Sequence, residues 1–221
     1  MVTRTRFNEQ LGELYDSLVE MGRVVEAAIN DATKALVEQD VELAKKAIVA
    51  DDIIDEMERE IERLCLKIIL RQQPVAGDLR LVSAVMKIIT DLERIGDHAA
   101  DISEFTVYLS EKEYIRKMVI IPKMAEETMR MLNMAIDSFI KKDLELANAV
   151  IAHDDVVDAL FLEAKERLIA AIKEDVGKNT EQAMDFIMIA KYFERIGDHA
   201  TNIAEWVVFS LTGVHKDGKV T

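Results

Sequence analysis

Half of the 221 residues are hydrophobic and 32% are charged, with two prolines and 5% aromatics, a balance that excludes a disordered chain or a β-sandwich and points to packed helices. The net charge of −14 argues against nucleic acid as a partner, because phosphate recognition calls for a basic patch. Cys65 is the only cysteine, so an internal disulfide and a cysteine zinc site are both excluded.

Along the chain, apolar residues advance in alternating steps of three and four, the seam of a helix packed on its neighbours. Met1 to Phe7 carry no apolar signal core, and no uncharged stretch reaches the roughly 20 residues of a membrane span, so a cytoplasmic protein is expected. The first seam is Phe7, Leu11, Leu14, Leu18, Met21, Val25, Ala28, Ala32. Asp40 stands at a short joint, placed to cap a second helix with the seam Leu43, Ala47, Ala50, Ile54, Met57, Ile61, Leu64, Ile68. Cys65 lies in that run and reads as a small buried hydrophobe. Pro74 and Gly77 separate it from a third helix, which Asp78 is placed to open and whose seam is Leu81, Val85, Ile88, Leu92, Ile95, Ala99, Ile102.

The charged stretch from Ser110 to Arg116 marks a central joint. A fourth helix follows on Ile121, Ala125, Thr128, Leu132, Ala135, Phe139, with Asp143 at the next joint. The fifth runs through Leu146, Val150, His153, Val157, Leu160, Ala164, and Gly177-Lys178-Asn179-Thr180 is expected to separate it from the sixth. That last seam is Phe186, Ile189, Phe193, Ile196, Ala200, Ile203, Val207, and the polar tail from Gly213 to Thr221 is expected to be loose. Most methionines fall on seams as core filler, with Met129 and Met131 expected to be partly exposed. The expected fold class is all-α: two tandem antiparallel three-helix bundles, residues 1–110 and 111–221, related by internal duplication.

The duplication is explicit in one segment. Glu93-Arg94-Ile95-Gly96-Asp97-His98-Ala99 recurs letter for letter as Glu194-Arg195-Ile196-Gly197-Asp198-His199-Ala200. Each copy carries an acidic pair four residues apart, and the preceding helices supply two more, Asp51/Asp55 and Asp154/Asp158. Residues at this spacing are neighbours on a helix, where like charges cost a few tenths of a kcal/mol. Four such pairs in equivalent places call for a cation or a basic partner. Candidate metal ligands are therefore Asp51, Asp55, Glu93, Asp97, Asp154, Asp158, Glu194 and Asp198, with Asp101 one turn further on.

Glu93 and Asp97 point away from the Ile88, Leu92, Ile95, Ala99 face, which places any metal in an outer groove between helices. Oxygen-only ligands favour hard cations. An acidic solvated face balanced by Arg94 and Arg195 is the competing interpretation. Gly96 and Gly197 each cost about 1 kcal/mol against alanine inside a helix, which implies a close approach by a helix, a cluster or simple packing. His98 and His199 flank the acidic stripe as outer-shell partners or as ordinary surface histidines, and His153 reads as a satisfied imidazole in the core. No Ser/His/Asp or Cys/His nucleophile arrangement and no phosphate-binding glycine loop can be argued, so no enzymatic activity is expected.

The repeated heptapeptide, together with Arg71-Gln72-Gln73-Pro74-Val75-Ala76 and Asp78-Leu79-Arg80, resembles the PhoU family of phosphate-signalling proteins. The likeness spans essentially the whole chain, although the second half lacks the Arg-Gln-Gln-Pro turn. It implies two three-helix bundles and a cytoplasmic negative regulator of phosphate uptake. The implied partners are the ATPase subunit of the phosphate ABC transporter and a membrane-bound sensor histidine kinase, with a homodimer left open. It also implies multinuclear transition-metal clusters on the (Asp/Glu)-x-x-x-Asp pairs, with iron foremost and Mn, Mg, Ca or Zn as alternatives. Two other functions compete with this one. An iron-dependent oxidoreductase is opposed by the outward carboxylates and by the absence of any Glu-x-x-His pair. A metal-free acidic scaffold would dock a basic partner directly.

Overall fold

The computed structural model describes residues 2–115, 120–215 and 218–219. Six helices follow in order: α1 Val2–Glu38, α2 Val41–Gln72, α3 Gly77–Leu109, α4 Ile120–Lys141, α5 Leu144–Glu174 and α6 Val176–Thr212. This is the all-α architecture expected, two three-helix halves in tandem. None of the described helices is long and apolar enough to cross a membrane.

The duplication extends to the turns. Gln39 and Lys142 both adopt left-handed conformations (φ 55° and 54°). Behind them the Asp40 and Asp143 amides donate back to the Ala35 and Ser138 carbonyls at 3.0 and 2.9 Å, the closure of a Schellman motif. The same aspartates then open the next helix. Asp40 accepts from the Glu42 and Leu43 amides, and Asp143 from the Leu146 amide, all at 3.0 Å. Each tight reversal makes consecutive helices antiparallel neighbours.

Three joints depart from the sequence expectation. Asp78 does not cap α3; it lies inside the first turn, favourable to the helix dipole, while Ala76 (φ 47°) occupies the cap position without a side-chain bond. The break between α5 and α6 falls on Asp175 alone, in extended conformation, so 177–180 lie within α6 and do not separate it. The tail is not wholly loose. Gly213 turns the chain at φ 77°, and β1 (Val214–His215) pairs antiparallel with β2 (Gly218–Lys219). The His215 ring lies 4.2 Å from that of Trp206, so an aromatic stack secures the start of this ladder.

The seams bury as their spacing requires: Leu14, Leu18 and Met21 meet Ile54, Ile61 and Ile68 and the Val85, Ile88, Leu92, Ile95 row. Leu132 and Phe139 do the same with Val150, Val157 and the Phe186, Ile189, Phe193, Ile196 row. Cys65 is buried, and the apolar surroundings push its thiol up to about 12, which leaves it inert. Met131 is buried as well, contrary to expectation, while Met129 packs partly buried against the core.

The two halves share one continuous core, with α3 lying along α6 and α1 against α4. Gly22 sits at the α1–α4 crossing, where Ile136 leaves no room for a side chain. Polar side chains pin the central joint. Gln39 donates to the Lys112 carbonyl at 3.0 Å, and Gln182 accepts from the Ile115 amide at 2.6 Å while donating to the Glu113 carbonyl at 3.2 Å. Arg116, the last residue expected in that joint, lies outside the described residues.

Truncation should separate core from surface. Phe193→Ala, at a fully buried site, is expected to cost about 3–5 kcal/mol in urea denaturation. Leu162→Ala, on the exposed face of α5, should stay within about 0.5 kcal/mol.

Candidate functional site

The acidic pairs converge because two glycines let the helices that carry them approach. A β-carbon on Gly96 would lie 2.8 Å from Ile54 Cδ1 and 3.4 Å from Asp51 Oδ1. At Gly197 the equivalent neighbours are Val157 Cγ1 at 3.2 Å and Asp154 Oδ1 at 3.7 Å. The requirement is close helix packing, of α2 on α3 in one half and of α5 on α6 in the other. That contact seats Asp51 beside Asp97 and Asp154 beside Asp198, along seams at the edge of the core.

In the first seam, burial raises the Asp51 carboxyl to about 6, helped by the charges of Asp97, Asp55, Asp52 and Asp101. Glu93, whose side chain is 13% exposed, rises to about 7 through burial and then Asp97, against the opposing pull of Arg94. Asp51 Oδ1 is buried with no hydrogen-bond partner. Arg94 is the counter-ion of the α3 pair: its guanidinium reaches Asp97 Oδ2 at 2.5 Å and Glu93 Oε2 at 3.3 Å. Asp55 is held instead by Arg59 at 2.8 Å, along its own helix.

The second seam has the same plan and a different balance. Burial and then Asp158 raise Asp154; burial and then Glu194 raise Asp198. Asp158 and Asp198 are exposed overall. Glu194 is paired with Lys191, at the position where the first half has Thr90. Thr90 donates to Glu58 at 2.9 Å and brings no charge. Arg195, expected to balance this seam, makes no ion pair with Glu194 or Asp198 among the described residues; its charge falls on His98 and Tyr192.

Four carboxylates thus share each seam, but they do not form a finished coordination shell. Among the described residues, no three His, Cys, Asp or Glu side chains stand where they could hold a metal ion without moving. The donor chemistry nonetheless fits a hard cation: oxygen-only ligands, burial and neighbouring charge that raise the pKa values of Asp51, Glu93, Asp154 and Asp198, and a buried carboxylate oxygen of Asp51 without a hydrogen bond.

The histidines of the repeat lie at the contact between halves, half-buried. His98 Nδ1 is 3.3 Å from Asp101 Oδ2, and His199 Nδ1 is 2.8 Å from Asp91 Oδ1, which Asn202 also contacts at 3.2 Å. Burial lowers the His98 pKa against the opposing hydrogen bond to Asp101. The two imidazole centroids are 5.6 Å apart, and His98 lies 5.5 Å from the Tyr192 ring. Asp91 and Tyr192 occupy equivalent positions in the two halves, and each touches the other half's histidine. His153 is not a core residue: it is half-buried and satisfied by Glu127 at 2.7 Å.

Sequence spacing brought out the eight paired carboxylates, left Glu58 as a nearby carboxylate without an equally good spacing argument, and missed Asp91, Lys191 and Tyr192. The exchange of Thr90 for Lys191 was readable by aligning the repeats. The partners of the histidines cross between halves and left no local signal.

A family model described as the PhoU domain matches the chain twice, over residues 18–106 and 121–207. Among similar proteins, the phosphate-specific transport system accessory protein PhoU homolog of Clostridium acetobutylicum is 37% identical over 98% of this chain and 99% of its own. That of Aquifex aeolicus is 40% identical over 85% of this chain and 84% of its own. The crystal structure of PhoU from Pseudomonas aeruginosa superposes with a TM-score of 0.90 at 36% identity, covering 94% of this chain and all of that one. The phosphate transport system regulatory protein PhoU from Streptococcus pneumoniae gives a TM-score of 0.87 at 26% identity, covering 94% of this chain and 97% of that one.

Charge repulsion in the first seam sets a pH dependence. The folded-state pKa values of Asp51 and Glu93, about 6 and about 7, lie above their ordinary values of 3.8 and 4.5. The folded state therefore binds more protons than the unfolded chain in this window, and stability contributed by these groups falls as pH rises from about 4 to about 7. In cation-free buffer, Asp51→Asn and Glu93→Gln are each expected to flatten that slope and raise the urea midpoint at about pH 8. A slope unchanged in both variants would show that the seam carries no such strain.

Proposed function

The chain belongs to the PhoU family, and from that premise and the geometry of its acidic seams we propose a non-enzymatic, cation-binding regulator of phosphate uptake. The names of its relatives, accessory proteins of a phosphate-specific transport system, support the assignment to transport. The observation that carries the cation-binding role is the first seam. There Asp51, Glu93 and Asp97 are pressed together at the edge of the core, with the Arg94 guanidinium paired to Glu93 and Asp97.

The ligands are Asp51, Asp55, Glu93 and Asp97 in the first half, with Asp101 behind them, and Asp154, Asp158, Glu194 and Asp198 in the second. Small side-chain rotations would gather them. A bound hard cation, iron foremost and manganese among the alternatives, supplies positive charge that the carboxylates otherwise lack. The first seam, where burial and neighbouring charge raise Asp51 to about 6 and Glu93 to about 7, has the greater need of it. The neutralised faces then serve as docking surfaces, in this proposal for the transporter's ATPase subunit and for a sensor histidine kinase on the cytoplasmic side of the membrane.

A second interpretation, a metal-free acidic scaffold, draws on the ion pairs of Arg94 and Lys191, which already offset part of the charge. The two differ in behaviour. Partner binding by a metal-free scaffold survives chelation and weakens steeply with salt.

Elemental analysis of protein purified without chelator tests the proposal. Bound metal is expected in the native chain, and Asp97→Ala combined with Asp198→Ala should reduce it to background with helical content intact. Metal retained by the double variant would overturn the ligand assignment, and metal-free native protein that still captures the ATPase subunit would establish the scaffold.

A further inference from the structure

The turn between α2 and α3 forms a tip unlike the rest of the molecular surface. Gln73 closes α2 in a left-handed conformation (φ 48°), its amide donating to the Ile69 carbonyl at 3.2 Å, and Ala76 is left-handed as well (φ 47°). Pro74 and Val75 are left at the apex between them. Val75 is 73% exposed and Leu70, in the last turn of α2, is 78% exposed. Leu66, on the same helix face as Leu70, and Leu79, in the first turn of α3, are 51% and 41% exposed. Four large aliphatic side chains gathered at one tip are more than scattered surface exposure.

The same tip is basic, in a chain whose net charge is −14. From Arg63 to Arg80 the basic residues are Arg63, Lys67, Arg71 and Arg80, against Asp78 alone. Arg63 pairs with Glu56 at 3.4 Å, but no ion pair holds Lys67, Arg71 or Arg80 among the described residues. Arg80 Nε is buried without a hydrogen-bond partner. Gln72 donates to Gln10 at 2.8 Å, which brings the start of α1 alongside, with Arg6 and Glu9 both exposed. A β-carbon on Gly213 would lie 3.6 Å from Arg80 Nε, so the terminal ladder, with Val214 exposed, stands on the other flank.

We propose that this tip docks on an anionic lipid surface, its aliphatic side chains entering the headgroup layer and its unpaired basic side chains meeting lipid phosphates. Side chains as exposed as Leu70 and Val75 project from the tip and line no groove for a peptide, whereas a bilayer accepts projecting side chains. Aliphatic residues flanked by Lys and Arg make an interfacial anchor, and each basic side chain near an anionic surface contributes about a fivefold gain in binding. The acidic seam does not oppose this docking. Its nearest ligands are Asp55, 70 − 55 = 15 residues before Leu70, and Glu93, 93 − 79 = 14 residues after Leu79. At the helical rise these lie about 21 Å or more away, beyond the screening length of about 8 Å.

The equivalent tip, between α5 and α6, lacks both features. Lys173 stands where α2 has Leu70, Thr180 stands where α3 has Leu79, and residues 166–181 carry four acidic residues against three basic ones. Duplication alone therefore does not generate the basic, aliphatic tip, and the first half is singled out. The docking is independent of cation binding, because none of the seam ligands takes part in it.

Cosedimentation of the full chain with lipid vesicles tests this, in buffer containing chelator so that no seam cation can bridge to lipid. The native chain is expected to bind vesicles of phosphatidylglycerol and phosphatidylcholine in equal parts, and to leave vesicles of phosphatidylcholine alone. Leu70→Asp combined with Val75→Asp, and Lys67→Glu combined with Arg71→Glu, are each expected to weaken binding at least about tenfold. Lys173→Glu, at the equivalent tip, should change it by less than about twofold. Circular dichroism checks that each variant is folded. A native chain that ignores the mixed vesicles, binding insensitive to both double substitutions, or an equal loss with Lys173→Glu would each overturn the proposal. A native chain that ignores vesicles yet binds polyglutamate would assign the tip to an acidic protein segment and overturn it as well.

Discussion

The close approach of α2 to α3 and of α5 to α6 is the constraint on which the acidic seams depend. Gly96 and Gly197 remove the side chains that would hold these helices apart, and Ile54 and Val157 fill the space. Packing of this kind is short-range and strong, whereas repulsion between half-exposed carboxylates is soft and screened. The core therefore dictates the spacing and the carboxylates accept it. The raised pKa values of Asp51, Glu93, Asp154 and Asp198 record that cost.

The tandem repeat is symmetric in scaffold and asymmetric in charge. Turns, caps and glycines recur at matching places, yet Glu194 is paired with Lys191 whereas Glu93, facing the uncharged Thr90 position, is paired with Arg94. The halves also interlock through the residue that follows each seam aspartate. His98 and His199 meet across the α3–α6 contact, each against a residue of the other half. The ends of the two acidic stripes thus lie in one packed unit, which is the arrangement that physical coupling between the halves would need.

Much of this was legible in the sequence because it is periodic or local. Three-and-four spacing located six helices, and Asp40 and Asp143 announced their caps. The recurring heptapeptide exposed both the duplication and the paired carboxylates. What escaped had other causes. The α5–α6 break rests on a single extended residue, Asp175, whereas Gly177 and Asn179 looked like stronger punctuation yet lie within the helix. Stacking of His215 on Trp206 beside the short terminal ladder is a contact at a distance, and so are the bonds from Asp91 to His199 and from Glu127 to His153. Tertiary partners of that sort follow from how helices dock, which seam spacing leaves open.

Anomalous diffraction from crystals grown with manganese tests the role of the seams most directly. Density is expected in the α2–α3 seam within coordination distance of Asp51 and Asp97, and weaker density in the α5–α6 seam, where Lys191 competes. Fully ordered seams with no anomalous density in either half would contradict it.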